Sequence, residues 1–227
     1  RIVRRPGMLS LECRAQPAPP GAAPARPDIP FDDFEREAYN PWTASGTAFG
    51  SGPVTQAQVP DYQGDLNIHG RRAVNSHAAA PETGVSARDA ATGRLTSPPF
   101  TIERHFIHCL IGGGGHKGKT CLNLIVDGKT VASITGANAN RMEPRSIHVR
   151  RWAGQSARLE IVDDERGGWG NIGVDNIVFS DQPAKPPGPL EQAGDFGTLG
   201  LTLLDAQKGD RATADLAAGK AVEQLFH

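Results

Sequence analysis

Several features that mark other classes of protein are scarce in this 227-residue sequence. Aromatic residues make up 6%, there are three cysteines, and the formal net charge is −1. Three cysteines are too few for a disulfide framework, and a net charge near zero gives no electrostatic drive toward nucleic acid or anionic membrane. No apolar run is long enough to span a membrane. We therefore expect neither a nucleic-acid partner nor a membrane span.

A secretory signal is also missing from the start of the chain. The sequence opens abruptly at Arg1 and closes abruptly at His227, which leads us to expect an excerpt of a longer protein. If that protein acts on polysaccharide, a secreted or periplasmic location is expected.

Glycine and proline are abundant, with 27 and 18 residues respectively. Many turns and few long helical patterns are typical of an all-β fold. Period-two patterns predict strands near 31–36, 42–49, 66–69, 72–76, 93–97, 100–111, 120–126, 129–135, 145–152, 156–163 and 171–179. This number of short strands predicts an antiparallel, jelly-roll-like β-sandwich.

Two proline-rich stretches divide the chain. The predicted parts are a strand-containing segment at 1–15, a Pro/Ala linker at 16–30, the main domain at 31–181, a second linker at 182–189, and a tail at 190–227 with a helix candidate near 217–226. Neither end can bury a core by itself. We therefore expect the main domain to be inserted into a second β-sandwich, with its first and last strands side by side.

The glycine-rich loop Gly112–Lys119 separates two apolar strand patterns. It ends in Gly-Lys-Thr like a phosphate-binding loop, but the following residues predict a strand rather than the helix such a loop requires. The Asp127-Gly128 pair then predicts a two-residue hairpin turn. Cys109 and Cys121 are equally spaced about Gly115, so a hairpin centred there would place them opposite each other, either bonded or as two buried thiols.

Three runs in the main domain carry a resemblance. They are FDDFEREAYNPWTASGTAFGSGP, GRLTSPPFTIERHFIHCLIGGGGHKGKTCLNLIVDGKTV and ARLEIVDDERGGWGNIGVDNIVFSD. Together they resemble an accessory β-sandwich module found with bacterial glycoside hydrolases, including family 32 fructan-degrading enzymes. The flanks RPGMLSLECRA and PLEQAGDFGTLGLTLLD resemble the N-terminal region of family 116, the β-glucosidase and glucosylceramidase family.

That resemblance implies a module that interrupts a host domain. The catalytic carboxylates of family 116 belong to a separate helical domain that no part of this chain matches, so no residue here receives a catalytic role. Jelly-roll carbohydrate-binding modules often hold a structural calcium between their opening and closing strands. The resemblance therefore suggests Glu35 and Asp175 as calcium ligands, with exposed or salt-bridged carboxylates as the alternative.

Sugar binding requires an apolar face beside hydrogen-bonding groups. Trp169 lies between glycines that would expose its ring, although simple packing of the loops explains it equally well. Asn171 follows it, His116 and Lys119 lie on the glycine loop, and Asn75 lies with His77 on another predicted loop. These residues form the predicted ligand-binding set.

The sequence thus predicts a non-catalytic, carbohydrate-binding-like region of a bacterial glycoside hydrolase. Its expected partners are a glucan- or fructan-type carbohydrate and the catalytic domain of the same polypeptide. Two alternatives remain open: a module that shapes the active-site rim of a working β-glucosidase-type enzyme, or a purely structural insert.

Overall fold

The computed structural model describes residues 2–5, 8–11, 26–184 and 200–201. The chain divides into two compact units, one formed by Arg1–Ala23 with Pro187–His227 and the other by Pro24–Pro186. In the first unit, β1 (Ile2–Arg5), β2 (Met8–Leu11) and β15 (Gly200–Leu201) form a three-stranded antiparallel sheet in the order β1-β2-β15. The predicted helix near 217–226 lies outside the described residues, and the predicted domain boundaries stay a prediction.

Within residues 26–184, the described part of the second unit contains twelve strands, two short α-helices and three 3-10 turns. The strands are β3 (Ile29–Asp32), β4 (Thr43–Gly46), β5 (Val54–Thr55), β6 (Arg72–Asn75), β7 (Gly93–Thr96), β8 (Phe100–Thr101), β9 (Phe106–Gly113), β10 (Thr120–Val126), β11 (Lys129–Thr135), β12 (Ala139–His148), β13 (Ser156–Asp163) and β14 (Ile172–Ser180). The helices are α1 (Ser76–Ala79) and α2 (Val85–Asp89), and the 3-10 turns span Gln56–Gln58, Asp61–Gln63 and Arg150–Trp152.

These strands form two antiparallel sheets. Sheet I has the order β11-β10-β13-β7-β4, with β8 also paired to β13. Sheet II has the order β12-β9-β14-β6-β5, with β3 also paired to β14. Leu122, Leu159 and Leu95 from sheet I pack against Ile111 and Val174 from sheet II in one buried cluster. The predicted all-β antiparallel sandwich is therefore confirmed.

The period-two sequence patterns predicted the bounds of several strands correctly. The strands predicted at 120–126, 129–135 and 156–163 have the predicted bounds. The hairpin between β10 and β11 turns at Asp127 and Gly128, both with positive φ, at 50° and 71°. Positive φ at both central residues is the geometry of a type I′ turn, so this prediction is confirmed.

The predicted strand at 66–69 does not form. The backbone N–H of Leu66 donates to Gln56 Oε1, and that of His69 donates to Asp175 Oδ2. These N–H groups are therefore not available to pair with a neighbouring strand.

The strand predicted at 100–111 is also wrong, since it is split into β8 in sheet I and β9 in sheet II. The chain crosses between the sheets at residues 102–105, where the buried Arg104 guanidinium donates to the carbonyl of Pro27.

The glycine loop is not a hairpin. It connects β9 in sheet II to β10 in sheet I, so it crosses from one sheet to the other. Cys109 and Cys121 therefore lie in different sheets, and both are buried free thiols. Burial raises the pKa of the Cys109 thiol to about 12, so it behaves as a small apolar side chain.

The first and last strands of the sandwich are neighbours, as predicted. β3 pairs with β14 in antiparallel register, with Asp32 opposite Ile177. This pairing brings the start and the end of the described sandwich to the same sheet. Among the described residues, none of the helices is both long and apolar enough to cross a membrane.

Candidate functional site

Two glycine-rich loops meet at one end of the sandwich. Gly114 N–H donates to the carbonyl of Asn171 over 2.9 Å, and the His116 ring Nε2 lies 3.0 Å from the carbonyl of Gly168. A Cβ at Gly114 would lie 2.2 Å from the Trp169 carbonyl oxygen, so only glycine permits this approach. The loops Gly112–Lys119 and Gly167–Asn171 therefore lie in direct contact.

Trp169 is held at the tip of the second loop. Its φ is +62°, a backbone conformation that bulky residues rarely adopt. The next residue, Gly170, is buried, and a Cβ there would lie 2.2 Å from the Asp89 carbonyl oxygen. The loop backbone is thus packed inward while the Trp169 side chain stays 39% exposed. Sparsely populated backbone conformations of this kind cluster at ligand sites.

A pocket of about 250 Å³ lies beside Trp169. It combines three exposed apolar side chains with amide, imidazole and carboxylate groups. Its lining consists of Tyr62, Gln63, His77, Val85, Asp89, Asn140, Gly168, Trp169 and Asn171. Tyr62, Val85 and Trp169 are the large apolar residues that the described part of the chain exposes most, at 57%, 49% and 39%. Their convergence on one pocket is the arrangement expected of a ligand site.

The polar groups of this pocket form an ordered chain. Asp89 Oδ1 lies 2.7 Å from His77 Nδ1, and His77 Nε2 lies 2.7 Å from the Tyr62 hydroxyl. The His77 side chain is buried, while the Tyr62 ring stands edge-on to it at 89° with the centroids 5.6 Å apart. Burial lowers the pKa of His77, and the neighbouring Asp89 opposes this in part. The lowered pKa favours the neutral imidazole of His77.

Gln63 supplies a buried acceptor without a partner. It is 6% exposed, and its Oε1 makes no hydrogen bond within the described structure. Its Nε2 faces Asn140 Oδ1 at 3.5 Å, which is long for a hydrogen bond. A buried, unpaired amide oxygen costs roughly 1–3 kcal/mol.

The predicted ligand-binding residues separate into two groups. Trp169 and Asn171 line the pocket. Lys119 instead donates to Glu165 over 2.9 Å, Asn75 accepts from Ala78 N–H as the N-cap of α1, and His116 supports the loop through the Gly168 carbonyl. The contact with Lys119 is the main reason that the pKa of Glu165 falls to about 2.

Sequence reasoning missed most of the pocket. Tyr62 and Gln63 lie on a 3-10 turn without a motif, and Asp89 ends a five-residue helix. Asn140 lies in β12, far from Tyr62, Gln63 and Asp89 in the sequence. The sequence offered one signal, the exposed aromatic pattern at Trp169, because the partners converge through tertiary structure alone.

Glu35 and Asp175, the predicted calcium ligands, lie at the seam of β3 and β14. Glu35 Oε1 accepts from the N–H groups of Arg71 and Arg72, and Asp175 Oδ1 and Oδ2 accept from those of Asn176 and His69. Calcium prefers six to eight oxygen ligands. The described residues contain no group of three or more His, Cys, Asp or Glu side chains that could hold a metal. The calcium site stays a prediction.

A larger depression of about 840 Å³ is lined mainly by residues of sheet I. It is lined by Arg94, Lys117, Gly118, Asn123, Thr130, Ser133, Ile134, Thr135, Gly136, Arg145 and Glu160. Arg94 and Glu160 form an ion pair across it at 2.9 Å. Its described lining contains no aromatic ring, so we place the candidate site at the smaller pocket.

Comparisons with known proteins give one relative by sequence. No family model matches the chain. A protein of Aspergillus rugulosus named "Putative glycosyl hydrolase ecdE" is 34% identical over 157 residues, which is 68% of this chain and 21% of that protein. The chain thus spans about a fifth of the length of the curated relative it matches. This similarity connects the sequence to a glycosyl hydrolase-like protein.

Several solved structures match the chain at low identity. A structure named TmCBM61, in complex with beta-1,4-galactotriose, has a TM-score of 0.40 and 16% identity, covering 65% of this chain and 94% of that one. The K2 adhesin domain of Lys-gingipain has a TM-score of 0.44 and 15% identity, covering 68% and 99%. A family 35 carbohydrate-binding module of Clostridium thermocellum has a TM-score of 0.35 and 12% identity, covering 68% and 99%. Since all three scores are below 0.5, none of them bears on ligand or activity.

Proposed function

We propose that the sandwich of residues 26–184 is an accessory carbohydrate-binding module of a larger glycoside hydrolase, and that its ligand occupies the pocket beside Trp169. The observation that carries this proposal is the convergence of the exposed Trp169 and Tyr62 side chains on one pocket whose lining also contains the amides of Asn140 and Asn171. Sugar rings present apolar C–H faces and a rim of hydroxyls, which match these two kinds of group.

The host enzyme belongs to the same proposal. The sequence similarity to a glycosyl hydrolase-like protein, of which this chain corresponds to about a fifth, supports a catalytic domain elsewhere in the polypeptide. The resemblance of the flanks to family 116, and of the module to one found with family 32 enzymes, suggests a β-glucosidase-type host acting on a glucan- or fructan-type carbohydrate. A secreted or periplasmic location follows if the substrate is a polysaccharide.

The test is affinity gel electrophoresis of the full chain through soluble glucans and fructans, with a glycan array alongside. We expect at least one polysaccharide to retard the wild type. Trp169→Ala should weaken that binding about tenfold or more, because losing ~60 Å² of apolar contact at ~25 cal/mol per Å² corresponds to about 1.5 kcal/mol. The melting temperature of the variant should stay close to wild type, since Trp169 is exposed.

Phe106→Ala is the matched control. Phe106 lies at the opposite end of β9 from Gly113 and stacks on His108 and His148, with ring centroids 5.8 Å and 5.0 Å away. This stack is a second aromatic surface, away from the pocket. Retardation that survives Trp169→Ala but disappears in Phe106→Ala would move the site to sheet II. No retardation of the wild type by any polysaccharide would favour the structural-insert alternative.

A further inference from the structure

The Asp89–His77–Tyr62 chain gives the pocket a defined hydrogen-bond polarity. The carboxylate of Asp89 has no hydrogen to donate, so His77 Nδ1 carries the hydrogen in their 2.7 Å contact. In a neutral imidazole the other nitrogen is then an acceptor. The Tyr62 hydroxyl must therefore donate to His77 Nε2, also over 2.7 Å. The lone pairs of the Tyr62 oxygen are left free, as an acceptor.

The charge of the pocket also favours hydrogen-bond donors as ligand groups. Among the described residues that line it, Asp89 alone carries a formal charge while His77 is neutral. The neighbouring Arg88 donates to the carbonyls of Glu82 and His77, at 3.0 Å and 3.5 Å. An incoming hydroxyl therefore meets the Tyr62 acceptor beside the amides of Asn140 and Asn171. The Asp89 carboxylate repels a second carboxylate, and the Arg88 charge outside the lining opposes this effect only in part.

We infer that this chain makes the pocket selective for neutral sugars over uronic acids, with Tyr62 contacting the ligand and His77 and Asp89 acting as positioning residues. This inference rests on the proposed function and assigns its ligand class. The burial that keeps His77 neutral maintains the same polarity through neutral pH.

The volume of the pocket also limits the ligand. At about 250 Å³ it falls below the ~300–1000 Å³ typical of sites for drug-sized molecules. A single sugar ring therefore fits better than a stretch of chain. Methyl glycosides of single sugars are consequently suitable probes.

The first measurement is direct. The full chain with ¹⁵N-labelled imidazoles should show, at neutral pH, His77 with a protonated Nδ1 and an unprotonated Nε2. A His77 ring protonated at Nε2 would overturn the inference, because the Tyr62 hydroxyl hydrogen would then point toward the ligand.

The second measurement compares ligands. Methyl glycosides of glucose, galactose and fructose, and the matching glucuronide and galacturonide, are titrated into wild type and variants by NMR. We expect the wild type to bind the best neutral glycoside roughly tenfold more tightly than its uronide, as a charge about 6 Å away at intermediate dielectric would produce. Tyr62→Phe keeps the ring and should weaken the neutral glycoside roughly 3- to 10-fold.

Asp89→Asn should narrow the preference between neutral glycoside and uronide to about threefold or less. Asp61→Asn is the matched control, because Asp61 is an exposed carboxylate next to Tyr62 in sequence and does not line the pocket. Equal narrowing by both substitutions would overturn the inference. The wild type could instead bind neutral and acidic glycosides equally, with Trp169→Ala losing both. That result would support the carbohydrate-binding function and overturn the proposed preference for neutral sugars. Binding of no sugar at all overturns both.

Discussion

Arg26 and Asp181 join the two ends of the described sandwich across 155 positions of sequence. Arg26 Nε donates to Asp181 Oδ2 over 2.7 Å and Arg26 Nη2 to Oδ1 over 2.9 Å, and Nη2 also reaches the carbonyl of Glu103. The side chain of Arg26 therefore ties the chain segment before β3 to the segment after β14.

We expect Arg26→Ala to speed amide hydrogen exchange in β3 and in the last residues of β14, because both segments lose a shared partner. Hydrogen exchange measured by mass spectrometry on the full chain checks this. Arg94→Ala removes a comparable exposed ion pair with Glu160 in sheet I, so it should leave these segments unchanged. Identical exchange in wild type and Arg26→Ala would contradict the role of this contact.

Gly114→Ala should both destabilise the fold and weaken sugar binding. The new methyl group would lie 2.2 Å from the Trp169 carbonyl oxygen and 2.7 Å from Thr120 Oγ1, so the loop that carries Trp169 must shift. Overpacking of this kind costs roughly 1–3 kcal/mol, measured by thermal unfolding.

Gly115→Ala provides the control for that substitution. A Cβ at Gly115 would meet its nearest neighbour, Asn138 Oδ1, at 3.4 Å, which is an ordinary contact. Its melting temperature should stay near wild type. Equal losses in the two variants would show that loop entropy, rather than the close approach to Trp169, explains the glycine at 114.

Asp163 should make the fold less stable as the pH rises. It is 1% exposed, and neither of its carboxyl oxygens makes a hydrogen bond of good geometry. Burial raises its pKa to about 7, with the nearby Asp89 and Asp164 charges adding to this. Because the pKa is higher in the folded state than in the unfolded state, the favourable contribution exists below pH ~4 and is lost as the pH rises through about 7.

Asp163→Asn should therefore raise the melting temperature, and its advantage should grow from pH 5 to pH 7 and level off above that. The full difference is on the order of 4 kcal/mol. Asp164→Asn, a change in the exposed neighbour, should show no comparable trend. A variant whose advantage is the same at pH 5 and pH 8 would contradict the titration of Asp163.

The calcium prediction is tested by thermal unfolding of the full chain in calcium and in EDTA. An ion shared by Glu35 and Asp175 would bind the folded state, so calcium should raise the melting temperature by mass action. Burial and the charges of Glu35 and Asp33 raise the pKa of Asp175 to about 7. A bound calcium ion would offset these effects. Glu35→Gln should remove most of the difference between calcium and EDTA. If EDTA does not change the melting temperature of the wild type, the calcium prediction is wrong. The role of Glu35 and Asp175 would then be to accept hydrogen bonds from backbone N–H groups.

Elements that depend on neighbouring residues along the chain could be predicted before the structure was known. β10, β11 and β13 were located because alternating side chains face opposite sides of a sheet, which leaves a period of two in the sequence. The Asp127-Gly128 turn was predictable because positive φ limits the choice of residue. The pairing of β3 with β14 also followed from the two proline-rich stretches that bracket the domain.

The course of the glycine loop and the surroundings of Trp169 depend on long-range contacts, which local patterns do not show. A strand pattern carries no information about which sheet the strand joins, so β9 and β10 resembled a hairpin although they belong to different sheets. The backbone around Leu66 and His69 does not form the predicted strand, because side chains from other segments accept its hydrogen bonds. The Asp89–His77–Tyr62 chain and Gln63 meet Trp169 through contacts between segments far apart in sequence, and such contacts leave no local pattern in the chain.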